Sequence, residues 1–345
     1  MRTTIRDVAE AAGVSAMAVS AVLNGTGRNV KVSPDKAEHI RKIARDLRYQ
    51  PNHVARSLRN RRTGMVAVVF QHFEGMGEAQ PYYPQLLNGV MAALFPADYT
   101  LALCPKLIQG SDAGSISDGR FDGVLWCRPD FTDDSRDEIR NSTIPVVMMH
   151  APPGLIPGVP TFCADNEGAM REVVRHLTGL GHSRLAFVID PVNEHTVEGR
   201  DRCDAFLTAA LARGVAADVL VWDGSLPSVA DYLGDDAPHT GLVCFSDTLA
   251  GGVLAACERY GVVVPRDLSV VGFDSSSFCE GTKPRLTSVN QPVERMAQAA
   301  TLHLLNLIRE GSEGLPSSPT VSSIYDCGLD LRDSTAPPRL LSNAR

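Results

Sequence analysis

Eight short apolar runs constrain the fold of this chain more than anything else in it. MVAVVF, LALC, GVLWC, PVVMM, RLAFVID, VLVW, GLVCF and LSVVGFD carry no polar alternation. Strands that are apolar on both faces belong to parallel sheets covered by helices on each side. Segments with apolar residues at helical spacing stand between several of them: YPQLLNGVMAAL, NEGAMREVVRHLTGL, CDAFLTAALARG and DTLAGGVLAACERYG. Strand–helix–strand units with right-handed crossovers follow. The runs fall into two groups, about 65–158 and 162–291, which predicts an α/β body of two doubly wound parallel-sheet lobes. Ligands in such sheets bind beyond the carboxyl ends of the strands. The cleft between the lobes is therefore the expected pocket.

The first 64 residues are of a different kind. They hold 13 Lys+Arg against 5 Asp+Glu, a net +8, while the rest of the chain holds 20 against 35, a net −15. A basic head on an acidic body points to a nucleic-acid module joined to something else. The stretch TIRDVAEAAGVSAMAVSAVLNG, residues 4–25, has helix-turn-helix spacing. Thr4 caps a first helix with Asp7 as its reciprocal partner. Gly13 permits the turn, Ser15 caps the second helix, and Val19, Val22 and Leu23 form its buried face. Ser33-Pro34 opens a third helix with Ala37, Ile40, Ala44 and Leu47 on its inner stripe. The all-α head is thus three short helices, residues 1–50. Residues 51–64 follow as a hinge: Asn52 can cap a short helix, crowded by Arg56, Arg59, Arg61 and Arg62. Isolated helices of that length are marginal in water, so this one needs DNA or a partner chain to order it; a plain basic linker is the alternative.

Other classes are poorly served. No apolar run approaches the roughly 18 residues of a membrane span, and the N-terminus lacks the apolar stretch of a signal peptide, so a cytoplasmic protein is expected. Eight scattered cysteines without a C-x-x-C pair read as reduced, buried thiols. Gly75 and Gly77 follow the first strand as in a dinucleotide turn, but Gln80 and Pro81 break the glycine spacing that a pyrophosphate requires. Catalytic signatures such as G-x-S-x-G and H-E-x-x-H are missing, and the nine histidines show no metal spacing. Neither cofactor, metal nor catalytic residue is expected.

The residues together resemble a family. DVAEAAGVSAMAVSAVLNG, VSPDKAEHI and LRYQPNHVARSLR in the head, then LTGLGHSRLAFV, FSDTLAGGVLAACERYGVVVPRDLSVVGFD, LTSVNQPVERMAQAA and LRDSTAPP in the body, are similar to the lactose-repressor (LacI/GalR) family of bacterial transcription regulators. The resemblance covers nearly the whole chain. It implies a homodimer on a near-palindromic double-stranded DNA operator, and a body like periplasmic sugar-binding proteins that takes a small-molecule effector of carbohydrate type. The implied division is 65–158 with 293–325 for the first lobe, 159–292 with 326–332 for the second, and 333–345 as a tail. A sugar-binding protein or nucleotide-binding enzyme without operator-specific DNA binding is the competing reading.

The resemblance also implies roles. Thr4, Ser15, Ala16, Met17, Ser20, Ala21 and Asn24 stand at DNA-facing positions of the head. Asn52, Ala55, Arg56, Leu58 and Arg59 do so in the hinge, with Leu58 at the place of a leucine that wedges between base pairs. In the cleft, Tyr82 and Tyr83 stand where aromatics meet the ligand. Arg202, Asp247 and Asp274 match polar ligand contacts, and Trp222 can offer a flat face. Several positions depart from the family pattern. His150 stands where many relatives have aspartate, and Ser246 replaces an asparagine. Lys106 to Arg120 is short and rich in Gly and Ser, and the loop QHFEGMGEAQP is long. The reading helix is also unusually apolar at Ala16, Met17 and Ala21, which leaves contacts to thymine methyls as its main direct readout. The end of the chain shows no long heptad pattern, so a dimer is expected rather than a tetramer.

Overall fold

The computed structural model describes residues 3–24, 31–50, 62–70, 82–104, 115–128, 131–222, 238–313 and 321–339. The chain divides into two compact units, residues 1–63 and 64–345. In the first unit, α1 (Ile5–Ala11), α2 (Ala16–Asn24) and α3 (Pro34–Asp46) pack around Val8, Ala9, Val19, Ile40 and Ala44. The expected capping box is present: Thr4 Oγ1 accepts from the Asp7 N–H, and the Asp7 carboxylate accepts from the Thr4 N–H at 2.7 Å. Ser15 Oγ accepts from the Ala18 N–H at 3.2 Å, and Gly13 takes φ +61° in the turn. Two expectations for α3 do not hold. Ser33 makes no side-chain cap, so the fixed φ of Pro34 alone sets the entry of the helix. Leu47 is 38% exposed, and Ile43 packs on the core in its place.

The second unit holds two six-stranded sheets. The first comprises β1 (Met65–Val69), β2 (Thr100–Cys104), β3 (Gly123–Trp126), β4 (Val146–Met149), β5 (Thr161–Ala164) and β11 (Ser323–Tyr325), in the order β11-β5-β4-β3-β1-β2. The second comprises β6 (Arg184–Ile189), β7 (Ala216–Val221), β8 (Gly241–Cys244), β9 (Ser269–Phe273), β10 (Thr287–Asn290) and β12 (Gly328–Asp330), in the order β12-β10-β9-β8-β6-β7. All pairings are parallel except β10 with β12. Helices α4 (Tyr82–Leu94), α5 (Asp133–Arg140), α6 (Asn166–Gly179), α7 (Val197–Ala212), α8 (Asp247–Tyr260), α9 (Phe278–Gly281) and α10 (Val293–Glu313) connect and cover them. The inner strands β3, β4, β8 and β9 are buried along their whole length, as two-sided apolar runs require. The runs LALC and VLVW depart from that rule. β2 and β7 are edge strands with one neighbour each, and half or more of their residues reach solvent.

The chain passes from one sheet to the other three times: after β5, between β10 and α10, and between β11 and β12. These passages lie close together. The Asp165 N–H donates to the Tyr325 carbonyl at 2.8 Å, and Cys327 packs against the cores of both lobes. Strand pairing corrects two expected boundaries. β5 pairs with β4 and β11, so the first lobe runs to residue 164 rather than 158. Residues 333–336 are not a loose tail. The Ser334 carbonyl accepts from the Val270 N–H at 2.9 Å, Ser334 Oγ accepts from the Thr287 N–H at 2.8 Å, and the Ala336 carbonyl meets His182 Nε2 at 3.0 Å. All eight cysteines are free thiols, six of them buried. Among the described residues, no helix is long and apolar enough to cross a membrane.

One contact holds the first lobe to its returning helix. At Gly89, α4 and α10 approach so closely that a Cβ would come 2.2 Å from the Glu294 carbonyl oxygen and 2.9 Å from the Ala297 Cβ. The obstacle is backbone, which cannot swing aside as a flexible side chain does. Gly89→Ala should therefore force the helices apart and cost about 1–3 kcal/mol, the usual cost of overpacking. A lowered urea midpoint with unchanged helix content checks it.

Candidate functional site

A cavity of about 570 Å³ opens between the lobes. Its walls come almost entirely from residues just past the carboxyl ends of strands. The first lobe contributes Cys127 after β3, His150 after β4, and the Tyr82–Tyr83 pair that opens α4. The second lobe contributes the Asp190–Asn193 loop after β6, Trp222 after β7, Phe245 and Ser246 after β8, and Asp274 after β9. Glu198 and Arg202 project from α7. Gln291 stands at the passage from β10 to α10.

Arg202 organises the second-lobe wall. It is 2% exposed, and its guanidinium lies over the Phe273 ring at 3.6 Å and the Phe245 ring at 4.7 Å. Its Nη1 donates to the Phe245 carbonyl at 2.8 Å, its Nε to Asn166 Oδ1 at 3.2 Å, and its Nη2 to Glu198 Oε1 at 2.5 Å. Glu198 sits four residues earlier on the same helix, one turn away. Burial alone would raise its carboxyl; the adjacent Arg202 guanidinium and His150 reverse this and hold it at about 2. Asp274 goes the other way. Burial, with nearby Asp247, pushes its carboxyl well above the usual range despite Arg202 and a hydrogen bond from Gln291 Nε2.

The first-lobe wall is aromatic. Tyr83 meets Phe70 edge-on, and Tyr82 meets both Tyr83 and His150 edge-on. The Tyr82 hydroxyl hydrogen-bonds His150 Nε2. Burial pushes the Tyr82 phenol well up, so it stays protonated, and one proton is shared between its hydroxyl and His150 Nε2. His150 Nδ1 lies 3.4 Å from Glu198 Oε1. A polar chain, Tyr82–His150–Glu198–Arg202, thus runs across the cleft from one lobe to the other.

Of the residues expected in the cleft, Tyr82, Tyr83, His150, Arg202, Trp222 and Asp274 line the cavity. Asp247 does not. Its carboxylate is consumed inside the second lobe, accepting from the Ser276 N–H and hydroxyl, each at 2.9 Å, and from the Ser288 hydroxyl at 2.5 Å. It ties the start of α8 to the strand ends beside it, so it is a structural knot rather than a ligand contact. Sequence reasoning missed Glu198 and Gln291. The Glu198–Arg202 spacing of four on a capped helix was a readable signal for the first. Gln291 offered none beyond its place after a strand. Among the described residues, no group of His, Cys, Asp and Glu is arranged to hold a metal ion.

In the head, Met17 is the most exposed large side chain of α2 at 69%, and Ala16 and Ala21 are half-buried beside it. Thr4 and Ser15 are engaged as helix caps. Ser20 is buried, 8% exposed; packing of α2 turns it from the surface, which corrects its place among DNA-facing residues. Asn24 ends α2. Asn52, Ala55, Arg56, Leu58 and Arg59 lie outside the described residues.

Comparison with known proteins agrees with this arrangement. Residues 4–52 match bacterial regulatory proteins of the lacI family, and residues 174–335 match a periplasmic binding protein-like domain. The chain is 30% identical over 310 residues to the HTH-type transcriptional regulator DegA of Bacillus subtilis (strain 168), covering 86% of this chain and 88% of DegA. It is 31% identical over 319 residues to the regulator CelR of Thermobifida fusca, covering 89% and 92%. The chain belongs to the lacI family of bacterial regulatory proteins. Among solved structures, a CelR–cellobiose complex superposes with a TM-score of 0.63 at 26% identity, covering 96% of this chain and all of that one. The lac repressor dimer bound to operator superposes with a TM-score of 0.77 at 21% identity, covering 97% and 100%, which speaks to the fold. Like these lacI-family relatives, the chain is a transcription regulator with a helix-turn-helix head and an effector body.

In this regulator the Glu198 carboxylate makes acid stability a direct readout of the cleft. Its folded value of about 2 lies below its ordinary 4.5, so its stabilising contribution is complete above pH 4.5 and is lost as pH falls toward 2. The shift corresponds to about 3 kcal/mol. Melting temperatures taken from pH 6 down to pH 3 should fall less steeply for Glu198→Gln than for the wild type. Parallel curves would mean that the pair carries no linkage.

Proposed function

We propose that this chain represses transcription as a homodimer on a near-palindromic operator, and that a small hydroxylated effector of sugar type in the cleft changes its hold on DNA. The observation that carries the reading is the pairing of two modules in one chain. One is a basic three-helix head with the lacI-family pattern. The other is a bilobed body whose polar and aromatic side chains converge at strand ends around a cavity. Solved neighbours were captured with cellobiose, D-xylulofuranose and ribose, which supports a sugar-like effector. Cytoplasmic residence and the lack of catalysis follow from the same reading.

The mechanism is a pair of coupled equilibria. An effector touching both lobes favours one relative placement of them, and the dimer holds its operator in only one such placement. A ligand shifts that equilibrium only by its differential affinity for the two states. The effector contacts we assign are Tyr82, Tyr83, His150, Arg202, Trp222 and Asp274, joined by Glu198 and Gln291.

Fluorescence anisotropy with operator fragments selected from genomic DNA tests the reading. A dimer neutralising about 6–10 phosphates should lose roughly 10³–10⁵ in affinity between 50 and 200 mM salt. A flat salt response would count against the DNA role.

The reading helix leads to a second expectation. Met17 and Ala16 offer apolar contacts to thymine methyls, and Ala21 offers no bidentate donor to guanine. Discrimination then shifts toward the deformability of the operator's centre. Randomised-site selection should return half-sites with weak base preference around a strict central step; a strong guanine preference opposite Ala21 would overturn this.

A further inference from the structure

His150 is the one histidine among the described residues that line the cavity. It follows β4 on the first lobe, is 6% exposed and holds a left-handed backbone at φ +60°. Asparagine, aspartate and histidine enter that conformation more readily than other side chains. One ring nitrogen, Nε2, hydrogen-bonds the Tyr82 hydroxyl of its own lobe. The other, Nδ1, stands 3.4 Å from Glu198 Oε1 of the second lobe, within ion-pair range but without hydrogen-bond geometry. A neutral imidazole has a single N–H for these two neighbours, whereas the imidazolium has one for each. Histidine is also the side-chain type that changes charge nearest to neutral pH.

The groups around the ring set the sign of a charge change there. On α7, Glu198 is held at about 2 against burial by Arg202 and His150, so it stays ionised wherever an imidazole titrates. Arg202 shares Glu198 Oε1 with His150 and is also committed to the Phe245 carbonyl and to Asn166. After β6, Asp190 adds a second carboxylate to the lining. The Tyr82 and Tyr83 phenols on α4 and the Cys127 thiol after β3 are all pushed up by burial and carry no charge. After β9, burial and then Asp247 push the Asp274 carboxyl toward its neutral form. At the end of β5, the strand beside β4, Asp165 is engaged as the cap of α6 and accepts from the Gly168 N–H at 2.8 Å. Two carboxylates of the lining thus stand against one guanidinium. A positive charge on His150 meets an excess of negative charge, with the Glu198 oxygen in contact, where Coulomb attraction is strongest.

We propose that the hydrogen ion is a second input to this regulator: proton uptake by His150 tightens its contact with Glu198, latches the two lobes together across the cleft, and makes their placement depend on pH independently of any effector. The latch is anchored at both ends. Tyr82 holds the ring to the start of α4, and Arg202, stacked on Phe273, holds the carboxylate to the second lobe. A contact between opposite charges favours the placement in which they meet, so falling pH raises the latched fraction. The consequence for DNA rests on the regulator reading; the latch itself does not.

The chain carries its own probe. Trp126 and Trp222 are its two tryptophans; the first is fully buried, and the second is half-buried on the cavity wall. Acrylamide, an uncharged quencher, therefore reports the cleft through Trp222. The full-length chain, without DNA or effector, is titrated from pH 8 to pH 5. Its quenching constant, corrected for fluorescence lifetime, should fall by about half along a single-proton curve in the range where an imidazole titrates. His150→Asn keeps a side chain that tolerates the left-handed backbone and deletes the titrating ring; its quenching should stay high and independent of pH. Glu198→Gln removes the partner and should flatten the curve as well. Far-UV circular dichroism at each pH establishes that each variant is folded, and His150→Gln replaces His150→Asn if that variant is not. A flat wild-type curve overturns the proposal. So does a curve that persists in the folded position-150 variant, which would assign the titration to Asp274. The titrations contain no DNA, so failure to bind an operator would refute the regulator reading and leave the latch standing.

Discussion

The cleft depends on one buried cation. Arg202 is almost wholly removed from water, and an unpaired guanidinium in that setting would cost several kcal/mol. Its surroundings follow from that demand. Glu198 must lie one turn earlier on α7, Asn166 must stand at the start of α6, the Phe245 carbonyl must turn inward after β8, and Phe245 and Phe273 must supply ring faces. These groups come from the ends of β8 and β9 and from two helices, so one side chain fixes the register of the second-lobe wall. Removing it would leave the Glu198 carboxylate buried without compensation, and truncation at Arg202 would disturb folding before it disturbed binding.

The same demand reaches the other lobe. Glu198 Oε1 accepts from Arg202 and stands beside His150, whose Nε2 hydrogen-bonds the Tyr82 hydroxyl. The first-lobe wall offers an imidazole at position 150, and the carboxylate stands on the opposite wall at Glu198. A first-lobe aspartate facing Glu198 would set two carboxylates together in a dry cleft, and like charges at that range repel strongly. An imidazole facing Glu198 avoids that clash and adds a favourable partner to the carboxylate.

Much of this was legible in the sequence, for a stated physical reason. Two-sided apolar runs dictate parallel sheets, and helical periodicity dictates what covers them, so the two-lobed body and the three-helix head could be read directly. Of the cavity residues, Tyr82 and Arg202 could be read only through the family resemblance, since Arg202 sits inside a helix, while Trp222 could be read from its place at the end of a strand. Errors arose where local pattern says nothing about pairing. β5 carries the same apolar character as β6, and only hydrogen bonding assigns Thr161–Ala164 to the first sheet. Asp247 and Asp274 look alike as acids near strand ends, yet Ser276, Ser288 and Cys279 surround the first while the second opens on the cavity. Ser20 and Leu47 exchanged expected exposures because short helices share a core too small to bury a full stripe.

The position of Gln291 connects recognition with motion. It is 2% exposed, donates to Asp274, and sits on one of three adjacent backbone passages between the lobes. A lobe rotation about those passages moves residues far from them through long arcs, but displaces Gln291 little. His150 and Glu198, on opposite walls, would part if the lobes turned away from each other. An effector that touches the residues at the passage and both walls therefore has one nearly fixed contact and one that reports the lobe angle. Only the second differs in free energy between open and closed forms, and only such a difference shifts a conformational equilibrium. Affinity can then be tuned at the passage and response at the walls, which lets one scaffold change its effector without losing its coupling to the head.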